Sequence, residues 1–102
     1  MKTYNKLVRD LIPDIICRDG KVSEWEIMNE ADYLKALDQK LTEEAQEFCA
    51  GPCEEEIADV LEVIDALCLA HGYDMESILR IKAEKKAQRG GFEKRILLQR
   101  VL

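Results

Sequence analysis

Four carboxylates stand at matched spacing in the middle of this chain: Glu44 and Glu47, then Glu56 and Asp59. Within each pair the residues are three positions apart, so on a helix each pair projects from one face. Gly51-Pro52 separates the pairs. Glycine suits the position just past one helix and proline the first turn of the next. In an antiparallel hairpin folded between those residues, Glu47 lies level with Glu56 and Glu44 with Asp59. That register would gather four carboxylates on one patch between two helices. Two carboxylates about 4 Å apart repel by about 4 kcal/mol at an effective dielectric near 20. A hard divalent ion, Mg²⁺ or Mn²⁺, removes that repulsion, because it takes oxygen ligands and keeps waters for a substrate phosphate.

The flanking residues predict helices that turn this patch inward. Leu34, Leu37, Leu41 and Phe48 step by three, four and seven residues, and Glu44 falls in the gap of their apolar stripe. A carboxylate in a core stripe needs a partner. Ile57, Val60, Leu61, Val63, Ile64, Leu67 and Cys68 leave the second helix little solvent face, yet Glu56 and Asp59 sit beside them. The competing reading is a solvated acidic face, with Glu54, Glu55 and Glu56 favoured at a helix N-terminus by the dipole alone. Spacing leaves both readings open.

At these residues the chain resembles a known family. ExxE at Glu44–Glu47 followed by ExxD at Glu56–Asp59 is similar to the signature of the all-α, MazG-like nucleoside triphosphate pyrophosphohydrolases. Leu7–Pro13 (LVRDLIP), Glu55–Leu67 (EEIADVLEVIDAL) and Arg89–Ile96 (RGGFEKRI) resemble its short single-domain branch, itself similar to phosphoribosyl-ATP pyrophosphohydrolase. Eight residues separate Glu47 from Glu56, a shorter gap than in many members of that family. The resemblance implies a Mg²⁺- or Mn²⁺-dependent enzyme that splits the α–β phosphoanhydride of a nucleoside triphosphate or related nucleotide. It implies Glu44, Glu47, Glu56 and Asp59 as metal ligands and catalytic residues, with one of them, Glu47 for instance, free to act as base. It also implies a place near substrate for Arg9 and Asp10, whose plainer reading is a local surface ion pair.

At 102 residues, with 47% hydrophobic and 35% charged content, the chain reads as one globular, helix-rich domain over residues 1–102. A net charge of −6 argues against nonspecific nucleic-acid binding. No long apolar run suggests a membrane span or signal peptide, so a cytoplasmic protein with reduced thiols is expected. Cys49 and Cys53, then Cys68 and His71, approach a zinc-ligand pattern, but Cys68 continues the stripe of Ile57, Leu61 and Ile64.

In chain order, Pro13 interrupts the pattern of Leu7, Val8, Leu11, Ile12, Ile15 and Ile16. A turn over Val8–Ile12 and a short helix over Pro13–Arg18 follow from it. Val22–Met28 suggests a short strand, with Trp25 read as a core anchor rather than a base-stacking platform. Asn29 caps a helix running to about Cys49, and a second long helix covers Glu56–His71, ended by Gly72. Asp74 caps a third, Met75–Arg89. On it Lys82, Lys85, Lys86 and Arg89 suit either the helix dipole or a basic wall against substrate phosphates. Gly90-Gly91 ends that helix and could bring backbone N–H groups to an anion. Ile96–Leu102 could form a second strand. The expected architecture is all-α with a minor two-stranded element, the hairpins of two copies packing as a four-helix-bundle homodimer. A non-catalytic dimeric interaction module and a phosphoribosyl-ATP pyrophosphohydrolase are the alternatives.

Overall fold

A computed structural model describes all of residues 1–102, and every regular element in it is a helix. α1 spans Ile12–Arg18, α2 Glu30–Ala50, α3 Glu54–His71 and α4 Met75–Arg89. The chain divides into two compact units, Met1–His71 and Gly72–Leu102.

In the first unit α2 packs against α3, the principal helix pairing of the molecule. α2 starts where Asn29 accepts a hydrogen bond from the Asp32 backbone N–H at 2.8 Å, which satisfies one of the orphan donors of its first turn. The link to α3 is Gly51-Pro52-Cys53. Pro52 therefore stands outside α3 rather than in its first turn, and α3 opens two residues earlier than expected, at Glu54. The Ile57 N–H reaches the Cys53 carbonyl at 3.3 Å, so Cys53 is the residue from which the helix departs. α1 begins at Ile12 with Pro13 in its first turn, where its missing N–H costs nothing.

The dry core of this unit is small. Leu37, Val63 and Cys68 are its buried apolar residues, and the one buried charged residue is Glu44. Leu37 and Glu44 share a face of α2, seven residues apart, so the apolar stripe and the carboxylate enter the interior together. Ile57, Leu61 and Leu69 of α3 remain exposed at 44%, 55% and 85%.

Neither Val22–Met28 nor Ile96–Leu102 carries strand hydrogen bonding. A strand exists through its ladder partner, and propensity supplies none. Trp25 is likewise 64% exposed and anchors no core. In the second unit Asp74 caps α4 through Ser77 Oγ (3.1 Å) and the Glu76 N–H (3.4 Å). Gly90 ends it with φ of +82°, a conformation glycine adopts without steric cost. No α4 side chain is buried: Met75 and Ile78 are half-buried, and Leu79 is exposed.

Candidate metal centre

The α2–α3 hairpin brings Glu44 of α2 together with Glu56 and Asp59 of α3. One carboxylate oxygen from each lies within 4.8 Å of the others. A second set at the same limit joins Glu43, Glu44 and Glu47 along α2. Glu44 belongs to both, but Glu47, expected level with Glu56, groups only with its α2 neighbours and not with Glu56 or Asp59. The ligand atoms that converge are carboxylate oxygens alone. The cysteine–histidine pattern assembles no comparable group, and Cys68 is buried in the core.

Burial separates the four. Glu44 is 7% exposed, Glu56 and Asp59 are half-buried, and Glu47 is exposed. Glu44 Oε2 and Glu56 Oε2 are both buried without a hydrogen-bond partner. A buried carboxylate oxygen in that condition costs free energy until something meets it. Burial raises the Glu44 pKa above its ordinary value, helped by a hydrogen bond and charge repulsion from Glu47 and opposed by Lys40. Two orphaned oxygens on members of a set of hard acidic donors fit a small divalent cation.

Three cations border the carboxylates, and only one of them was singled out from sequence. Arg9 donates to Asp59 Oδ1 at 2.8 Å across fifty positions of sequence, so the local Arg9–Asp10 pair is replaced by a long-range one. Asp10 is exposed and joins neither carboxylate set. Lys6 donates to Glu43 Oε1 at 3.0 Å, which holds the Glu43 carboxyl below its usual range and raises the lysine. Lys40 stands 3.4 Å from both Glu43 Oε2 and Glu44 Oε1, with its side chain 18% exposed. Glu43, Lys6 and Lys40 are the residues that sequence reasoning missed. For Lys40 the available signal was its i, i+4 spacing to the inward Glu44. A cavity of about 80 Å³ lies beside this network, lined by Leu7, Val8, Arg9, Leu37, Lys40, Glu44, Asp59, Glu62 and Val63.

Comparison with protein-family models, curated proteins and solved structures finds no match to this chain.

Lys82, Lys85, Lys86 and Arg89 occupy the second half of α4 in the second unit, all exposed. Lys86 and Arg89 lie in the last turn, where cations complement the helix dipole. Gly90-Gly91 is a poor anion cradle. The Gly90 N–H is already given to the Lys86 carbonyl at 2.8 Å. The Glu93 carboxylate sits so close to Gly91 that a Cβ there would strike it, and a carboxylate repels the anion the glycines were expected to admit.

No helix is long and apolar enough to cross a membrane.

Proposed function

We propose that this chain is a divalent-cation-dependent nucleotide pyrophosphohydrolase of the MazG-like kind, splitting a nucleoside triphosphate into monophosphate and pyrophosphate. The observation that carries the reading is Glu44. A bundle built only for packing would place leucine there; the chain instead buries a carboxylate with one oxygen unpartnered, converging on Glu56 and Asp59. Glu44, Glu56 and Asp59, with Glu47 at the rim, are the residues that would hold Mg²⁺ or Mn²⁺. When bound, such an ion polarises phosphate oxygens and lowers the pKa of water.

Lys40 holds Glu44 in place through its 3.4 Å contact. Glu47, exposed beside Glu44, is the carboxylate we assign as the base that takes the proton of the attacking water. That water adds to the α-phosphorus, the P–O bond to the α–β bridging oxygen breaks, and pyrophosphate departs with the electron pair. Lys82, Lys85, Lys86 and Arg89 are assigned to substrate phosphates on their charge, with Arg9 and Asp10 assigned to the substrate as well. The exposed Ile57, Leu61 and Leu69 face of α3 supports a homodimer in which hairpins of two copies cover one another. A cytoplasmic setting fits the free cysteines.

Incubating the protein with nucleoside triphosphates and Mg²⁺, then separating products by chromatography, tests this directly. Monophosphate plus pyrophosphate is the expected outcome. Diphosphate plus orthophosphate would mean that the bond is wrongly assigned. No product from any nucleotide, phosphoribosyl-ATP included, would favour an interaction module. A companion prediction concerns α4: Lys82→Ala and Arg89→Ala should raise KM or lower kcat by about tenfold while leaving Tm within a few degrees, because both side chains are exposed. Lost stability with unaltered kinetics would return these residues to the helix dipole.

A further inference from the structure

The carboxylate site already has a cation of its own. The segment from Lys6 to Arg9 crosses the hairpin, pinned to α2 by Lys6 on Glu43 (3.0 Å) and to α3 by Arg9 on Asp59 (2.8 Å). Between the two pins, Leu7 is half-buried, and Leu7 and Val8 line the same cavity as Leu37, Glu44 and Val63. The segment thus borders the cavity that the buried Glu44 lines. Its hold on α3 is light, since the Arg9 and Asp59 side chains are 56% and 40% exposed, and exposed ion pairs contribute little. A divalent ion carries twice the charge and binds carboxylate oxygen directly. A guanidinium 2.8 Å from a ligand oxygen stands within a few ångströms of any ion on that oxygen, and the two cations repel.

We infer that Arg9 is the resident counter-ion that Asp59 gives up when a divalent cation binds, so that Lys6–Arg9 is a strap closed without the ion and opened by it. This rests on the cation-binding reading of the Glu44, Glu56 and Asp59 set. Linkage makes the coupling reciprocal: the strap weakens ion binding by the same factor by which the ion loosens the strap.

The test is calorimetric titration of Mg²⁺ alone into chelator-treated full-length wild type, Arg9→Ala and Arg9→Lys, with trypsin cleavage after Lys6 followed in wild type with and without Mg²⁺. Arg9→Ala is expected to bind Mg²⁺ about three- to tenfold more tightly than wild type. Arg9→Lys, which keeps the charge, should stay near wild type, and Mg²⁺ should speed cleavage of the Lys6–Leu7 bond. Equal or weaker binding by Arg9→Ala, with Mg²⁺ still bound by wild type, overturns the strap and leaves the cation site standing. Absence of Mg²⁺ binding in wild type and variants overturns the site and the strap together. Should Arg9→Ala lose its helical circular dichroism, the wild-type cleavage rate decides: a rate unchanged by saturating Mg²⁺ overturns the strap.

Discussion

Asp59→Asn and Glu56→Gln are each expected to weaken Mg²⁺ binding tenfold or more, and to lower nucleotide hydrolysis by about a hundredfold or more. Both residues lie in the one carboxylate set that spans α2 and α3, and each change replaces an anionic oxygen donor with a neutral amide, a poor ligand for a hard ion. The unpartnered Glu56 Oε2 makes the second variant the sharper of the two. Glu56→Gln also relieves repulsion among the carboxylates without breaking an ion pair, so in a chelator that variant should melt no lower than wild type. Isothermal titration with Mg²⁺ supplies the measurement. Wild type and variants binding alike would remove the metal centre, and the hydrolase reading with it.

Glu44→Gln separates stability from activity. Glu44 is the only buried charged side chain, and its pKa is raised first by burial and then by Glu47. A carboxyl whose folded pKa lies above its unfolded value is protonated more readily in the folded state. Its burial is therefore best tolerated below the ordinary value of 4.5, and stability is lost as pH climbs through the raised one. Glu43 runs the other way: Lys6 holds its pKa low, so its contribution is present above 4.5 and lost as pH falls through its folded value. Removing the Glu44 charge should stabilise the ion-free protein by about 1–3 kcal/mol near neutral pH. For a chain of this size each kcal/mol corresponds to about 4–8 °C in Tm. The advantage should shrink toward acid and vanish below pH 4.5, while hydrolysis falls by about a hundredfold at every pH. Thermal melts in chelator across a pH series would show it; parallel curves for wild type and variant would mean that Glu44 is not held in the unfavourable charged state.

The helical frame was readable because its signals are local. Asn29 and Asp74 cap the helices they were expected to cap, and Leu37 and Glu44 turn inward together at the seven-residue spacing of α2, whereas Ile57 and Leu61 of the stripe expected on α3 are exposed and only Cys68 of it is buried. The meeting of Glu44 with Asp59 followed from a short link and the 3.6-residue period. Contacts that depend on where an irregular segment lies escaped that logic. Arg9 looked like a partner for its neighbour Asp10, yet it reaches Asp59, and Lys6 reaches Glu43. Nothing in residue spacing fixes the path of a chain without periodic structure. The two expected strands failed for a related reason, since Val22–Met28 and Ile96–Leu102 have β propensity but no ladder within the chain.

The three-residue link Gly51-Pro52-Cys53 bears on how this arrangement can drift over generations. Once such a link is long enough to be flexible, loop-closure entropy grows only with the logarithm of its length, each doubling costing about 0.6 kcal/mol. Insertions there are cheap as long as α3 returns to the same side of α2. Insertions inside either helix are not, because one added residue turns every later side chain by about 100° and carries Glu56 or Glu47 off the shared face. The distance between the two acidic motifs is therefore free to vary through the link and nearly frozen through the helices, while the three-residue spacing within each motif is fixed by the pitch of the helix itself.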